Sequence, residues 1–144
     1  EKSEPATKIN GVSTEGMSDF KIDGKPTKLF AEVMGNLVMK DGVVTMGKGK
    51  SSTGDLVRSD PYQLPLEEGT VGHAHTHPVA TNATLTWMKR GSSDGGNFRA
   101  GPSPDDRALA GENKGGIRNV VVDKNNVYLI NGSASQTVTI PRRR

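Results

Sequence analysis

Cysteine is absent from all 144 residues. That excludes disulfide staples, thiolate metal sites and a cysteine nucleophile together. Aromatic residues make up only 4% of the chain and hydrophobic residues 32%, so whatever core forms must be small. The length accommodates one domain with a modest core and is short for two. No stretch approaches the roughly 20 apolar residues that a membrane-crossing helix needs. The first residues also lack the basic start and apolar segment of a signal peptide. Glu1 stands where an intact chain would carry Met, as expected of a piece excised from a longer protein. Histidine is scarce as well, with three residues in all, and their placement carries most of the chemistry.

Glycine, by contrast, is plentiful: 18 residues, with 8 prolines beside them, which suits a loop-rich fold of short strands. The formal charge is +3 and the pI about 9.3. A basic balance can indicate nucleic acid or an anionic surface. Here Arg142, Arg143 and Arg144 supply the excess at the C-terminus and leave the body near neutral. A solvated tail is expected rather than a nucleic-acid arm, and no membrane partner.

Residues 1–20 are polar with little periodicity and read as a linker or a loosely attached arm, leaving 21–144 as the domain. Asp23-Gly24-Lys25-Pro26 is a turn. The apolar residues of 29–39 allow a short helical turn running into a strand from about Val33. Lys40-Asp41-Gly42 then signals a tight turn before Val43-Val44-Thr45-Met46, which predicts a β-hairpin. Residues 47–61 form a polar connection ending at Asp60-Pro61. Residues 70–77 are a strand candidate stopped by Pro78. The segment 79–102 carries Gly91, Gly95 and Gly96 and little pattern beyond Leu85, Trp87 and Met88, and it reads as a long insertion. Ser103-Pro104-Asp105-Asp106 opens a short helix, with Ser103 as N-cap, Pro104 at the first helical position and the aspartates complementing the dipole. That helix is expected to end by Gly115-Gly116. Residues 117–122 and 127–130 predict a second hairpin, and 136–140 a last strand. The order of elements predicts an α+β domain with a mixed β-sheet and short helices.

All three histidines fall within Gly72-His73-Ala74-His75-Thr76-His77-Pro78. Side chains alternate along a strand, so His73, His75 and His77 line one face and neighbours can converge on one ion. Hydrolytic zinc sites use three protein ligands and an open position. Without cysteine, the remaining ligand must come from elsewhere, and a carboxylate at a helix start is a natural supplier. Confinement of every histidine to one alternating run favours metal binding over a chance cluster.

His75-Thr76-His77-Pro78 followed by Ser103-Pro104-Asp105-Asp106 resembles the signature of the JAMM (MPN-type, JAB-like) zinc metallopeptidases: histidine-x-histidine-proline, then serine-x-x-aspartate. The resemblance implies that His75, His77 and Asp106 hold Zn2+. It implies an upstream glutamate as general base on the zinc-bound water, and Glu32-Val33-Met34-Gly35 fits that position. Ser103 would be aimed at the developing oxyanion. The implied architecture is JAMM/cytidine-deaminase-like, and the implied activity is hydrolysis of a peptide or isopeptide bond in a protein or peptide substrate. The run is most similar to the JAB-like domains of bacterial polymorphic toxins, which implies a secreted or delivered effector domain and an immunity protein as partner.

Several assignments have rivals. Ser103 serves equally as N-cap or as catalytic group, and one residue can do both. Asp105 competes with Asp106, although the serine-to-aspartate spacing favours Asp106. Glu67 and Glu68 compete with Glu32. In typical members the serine follows the second histidine by only several residues, whereas 79–102 intervene here. That insertion is either a lid, with Trp87 and Phe98 as substrate contacts, or a surface excursion. Two other functions compete: a metal-dependent nuclease, weakened by the missing basic-aromatic groove, and a catalytically silent binding module of the same fold.

Overall fold

The computed structural model describes residues 4–57, 64–89, 92–112, 118–130 and 137–143. Its elements are β1 (Lys8–Ile9), β2 (Val12–Ser13), β3 (Met17–Ile22), β4 (Lys25–Pro26), β5 (Val33–Lys40), β6 (Val43–Ser51), β7 (Thr70–Thr76), β8 (Ala83–Lys89), β9 (Ser92–Phe98), α1 (Pro104–Glu112), β10 (Arg118–Val122), β11 (Asn126–Ile130) and β12 (Thr137–Pro141). The expected stops at Asp60-Pro61 and Gly115-Gly116, together with Gly91 and Arg144, lie outside the described residues.

The first hairpin forms because Asp41 and Gly42 both adopt positive φ, 53° and 79°. That is the primed turn whose twist matches paired strands. β6 runs further than expected, through Gly49, where the two strands approach closely. A Cβ at Gly49 would lie 2.6 Å from the Met34 carbonyl oxygen. The second hairpin closes on Asp123. Its Oδ1 accepts the N–H groups of Asn125 at 2.8 Å and Asn126 at 2.7 Å, an Asx-type turn. Its Oδ2 accepts the Tyr128 hydroxyl at 2.9 Å and a hydrogen bond from Thr81. Burial pushes the Asp123 pKa up, but those hydrogen bonds from Thr81, Asn126, Asn125 and Tyr128 outweigh it and hold the carboxyl below its usual range. Arg142 is no free tail residue: its guanidinium donates to the Asp123 carbonyl at 2.9 Å.

One sheet runs in the order β12-β11-β10-β7-β5-β6. β7 and β10 are parallel neighbours, and the remaining adjacent pairs are antiparallel. A parallel pair needs a long crossover, and here β8, β9 and α1 all lie within it. Register places Met34, His75 and Val121 side by side, with Asn36, His73 and Asn119 in the next row. The histidines therefore occupy the middle of the sheet.

The expectation of an α+β domain is overturned. The described residues are mainly β, with two larger sheets and a single nine-residue helix. No helical turn forms at 29–32, because its backbone is engaged elsewhere. The Leu29 carbonyl accepts from Ala6, Ala31 donates to Glu4 and Glu32 donates to Asp55. The JAMM/cytidine-deaminase-like architecture falls with that expectation. Residues 1–20 also differ from a loose arm where they are described. β3 pairs with β8, and Ile9 is buried in the core beside Leu29, Leu56 and Leu85.

Residues 79–102 are not a structureless excursion. β8 and β9 pair with each other and extend β3 and β4 into a four-stranded antiparallel sheet. Leu85 is 0% exposed at the centre of that core, with Trp87 and Phe98 packed against it. Leu85→Ala should cost about 3 kcal/mol, a Tm loss of roughly 10 °C. A melting curve unchanged by the substitution would mean that this hairpin does not carry core packing. No helix of the described residues is long and apolar enough to cross a membrane.

Candidate metal centre

The serine-x-x-aspartate spacing has a local structural cause. Ser103 precedes α1, and its Oγ accepts the Asp106 N–H at 3.1 Å while its own N–H donates to Asp106 Oδ2 at 2.7 Å. This is a reciprocal capping box, with aspartate in the place usually taken by glutamate. It fixes Asp106 at the helix start with its carboxylate turned toward β7. Asp105 is exposed and outside the cluster.

His75 comes from β7 and His77 from just beyond it, where its N–H donates to the Val122 carbonyl at 2.7 Å. Pro78, lacking an N–H, ends the pairing. Thr76, between the histidines, accepts the Val33 N–H at 3.0 Å on its Oγ1, which ties the residue after Glu32 to the histidine strand. Glu32 is thereby held at the site, 5% exposed. Glu67 is placed elsewhere, its Oε2 accepting from Lys48 N–H and the Asn36 amide.

His75 Nε2 lies 2.9 Å from Asp106 Oδ1, and His77 Nε2 lies 3.2 Å from Asp106 Oδ2. The rings are tilted, with centroids 5.1 Å apart. Glu32 Oε1 stands 4.0 Å from His75 Nε2, beyond hydrogen-bonding range. One donor atom from each of His75, His77 and Asp106 falls within 4.8 Å of the others. Donors about 2.0–2.1 Å from a tetrahedral ion are themselves about 3.3 Å apart, so this set could hold a metal ion. Two imidazoles and one carboxylate are ligands that zinc and other first-row divalent ions accept.

Electrostatics tie the three groups together. Burial pulls the His75 pKa down, but the Asp106 hydrogen bond and the charges of Asp106 and Glu32 outweigh it and leave it raised. Burial pushes Asp106 up, yet hydrogen bonds from His75 and His77 and their charges hold it far below the usual carboxylate range. Burial alone lowers His73. A raised imidazole contributes stability that is complete below its unfolded pKa of 6.5 and is lost as pH rises through the folded value. A depressed carboxylate contributes stability above 3.8 that is lost as pH falls. In chelator, wild type should therefore exceed Asp106→Asn in Tm by more near pH 6 than near pH 9 (about half a unit below and two and a half above the unfolded imidazole value). Thermal melts across that range check this, and a constant difference would show that the pair is not coupled.

The cluster lines a cleft of about 980 Å³ together with Leu56, Phe98, Pro102 and Asn119. Of the residues expected at the site, His75, His77, Asp106, Glu32 and Ser103 are brought together. Sequence reasoning missed Asn119, a polar residue inside the valine-rich β10. Its signal was that a buried strand rarely spends a position on asparagine without a partner. Comparison with protein-family models, with curated proteins and with solved structures finds no match, so the JAMM resemblance stands on the quoted motifs alone.

Proposed function

We propose that the protein is a zinc-dependent peptidase or isopeptidase of the JAMM type. The observation that carries this reading is the convergence of His75, His77 and Asp106, with Glu32 beside them. Zinc held by such a set supplies Lewis acidity and lowers the pKa of a water to about 7. In hydrolysis the water oxygen joins the carbonyl carbon as the C–N bond breaks. Glu32 takes the water's proton on its carboxylate and delivers it to the leaving nitrogen. Glu32 is 5% exposed, so its carboxylate is shielded from bulk water. Ser103 Oγ accepts from the helix backbone and still has its own proton to donate to the oxyanion. One residue thus caps the helix and serves the reaction.

The same resemblance supports a delivered effector restrained by an immunity protein. Expression inside a bacterial cell should arrest growth, and Glu32→Gln should relieve the arrest. Equal growth with both forms rejects the toxin reading without touching the peptidase reading. For the activity itself, zinc-loaded protein is incubated with peptides, isopeptide-linked chains, DNA and RNA. Amide cleavage abolished by chelator and restored by zinc is expected. Cleavage of nucleic acid alone would replace this reading with the nuclease.

A further inference from the structure

Two residues lining the cleft carry buried polar atoms without a hydrogen-bond partner among the described residues: His73 Nδ1 and Asn119 Nδ2. Asn119 is 4% exposed, and both residues line the cleft with the metal cluster. They are direct register partners on the parallel strands β7 and β10, so they stand about 4.8 Å apart across the ladder. His73 lies on the same face as His75, two residues before it, or about 6.6 Å along the strand. The third member of the row, Asn36, differs from them, because its amide is spent on the Pro65 carbonyl at 2.8 Å and on Glu67.

A buried amide without a partner forfeits its hydration and gains nothing in return. Such a group is retained against stability where a ligand completes it. A ring nitrogen able to accept and an amide N–H able to donate, side by side, match the N–H and C=O of one residue of an extended chain, which point the same way. Their distance from His75 corresponds to about two residues of extended chain. From this we infer that His73 and Asn119 form a specificity subsite that holds the backbone N–H and C=O of one substrate residue about two residues from the scissile bond. The inference deepens the peptidase reading and supplies its substrate class: extended polypeptide rather than a small amide.

The test uses the intact, zinc-loaded protein and the capped dipeptide acetyl-Gly-Gly-amide as probe. In NMR titration the Asn119 side-chain N–H signals should move saturably. Asn119→Leu, which removes the orphaned donor at similar volume, should bind the probe about tenfold more weakly while keeping its zinc. It should also melt higher by a few degrees (about 3 °C), which a merely structural asparagine would not allow. Unmoved Asn119 signals, unchanged probe affinity in the variant, or a lower Tm would each overturn the subsite. Probe binding through Asn119 without turnover of any peptide keeps the subsite and rejects the hydrolase. Peptide cleavage with an unchanged KM in Asn119→Leu does the reverse.

Discussion

Asp106→Ala is expected to reduce bound zinc from about one ion per chain to near none. The carboxylate is the one ligand that both histidines approach, at 2.9 and 3.2 Å. Its removal leaves two imidazoles, short of the three protein ligands a hydrolytic site uses. It also breaks the reciprocal cap, since Ser103 N–H loses its acceptor on Oδ2. The cap loss alone costs about 1 kcal/mol, so the variant should fold and the metal loss can be read directly by elemental analysis. Asp106→Asn serves as control, because its side-chain oxygen can still accept from Ser103 while carrying no charge. Full metal retention by both variants would remove Asp106 from the ligand set.

Glu32→Gln is the second large effect, and it separates binding from chemistry. Glu32 is buried and 4.0 Å from His75 Nε2, close enough to act and too far to be hydrogen-bonded to the ring. The amide keeps the size of the side chain but cannot take a proton. Zinc content should stay at about one per chain, while kcat falls by about 10²–10⁴-fold, the usual worth of a general base. Steady-state kinetics beside metal analysis decides it. A variant that turns over normally would move the base to another group, and one that loses its zinc would make Glu32 a ligand.

The parts of this molecule legible in its sequence are those set by neighbours in the chain. Asp41-Gly42 dictates the β5–β6 turn through its positive φ values. Pro78 stops the histidine strand, and Ser103-Pro104-Asp105-Asp106 announces the helix start that the capping hydrogen bonds complete. The cluster of His75, His77 and Asp106, which could hold a metal ion, was legible for the same reason: each half of it is a short local spacing. The β8–β9 hairpin was not. Ser92–Phe98 is rich in serine and glycine, and it becomes a strand because β8 pairs along its whole length and buries Leu85. The absence of a helix at 29–32 likewise depends on partners far along the chain, at residues 4–6 and 52–55. Asn119 carried a local signal, an asparagine among the valines of β10, but its lack of a partner depends on the fold. Only the register against His73 brings two atoms, unpartnered among the described residues, to the same cleft.

The most direct measurement is anomalous scattering at the zinc edge from crystals of protein purified without chelator. A single strong peak about 2.0–2.2 Å from His75 Nε2, His77 Nε2 and an Asp106 carboxylate oxygen is expected. Crystals grown with added zinc that show no peak among these three side chains would contradict the account.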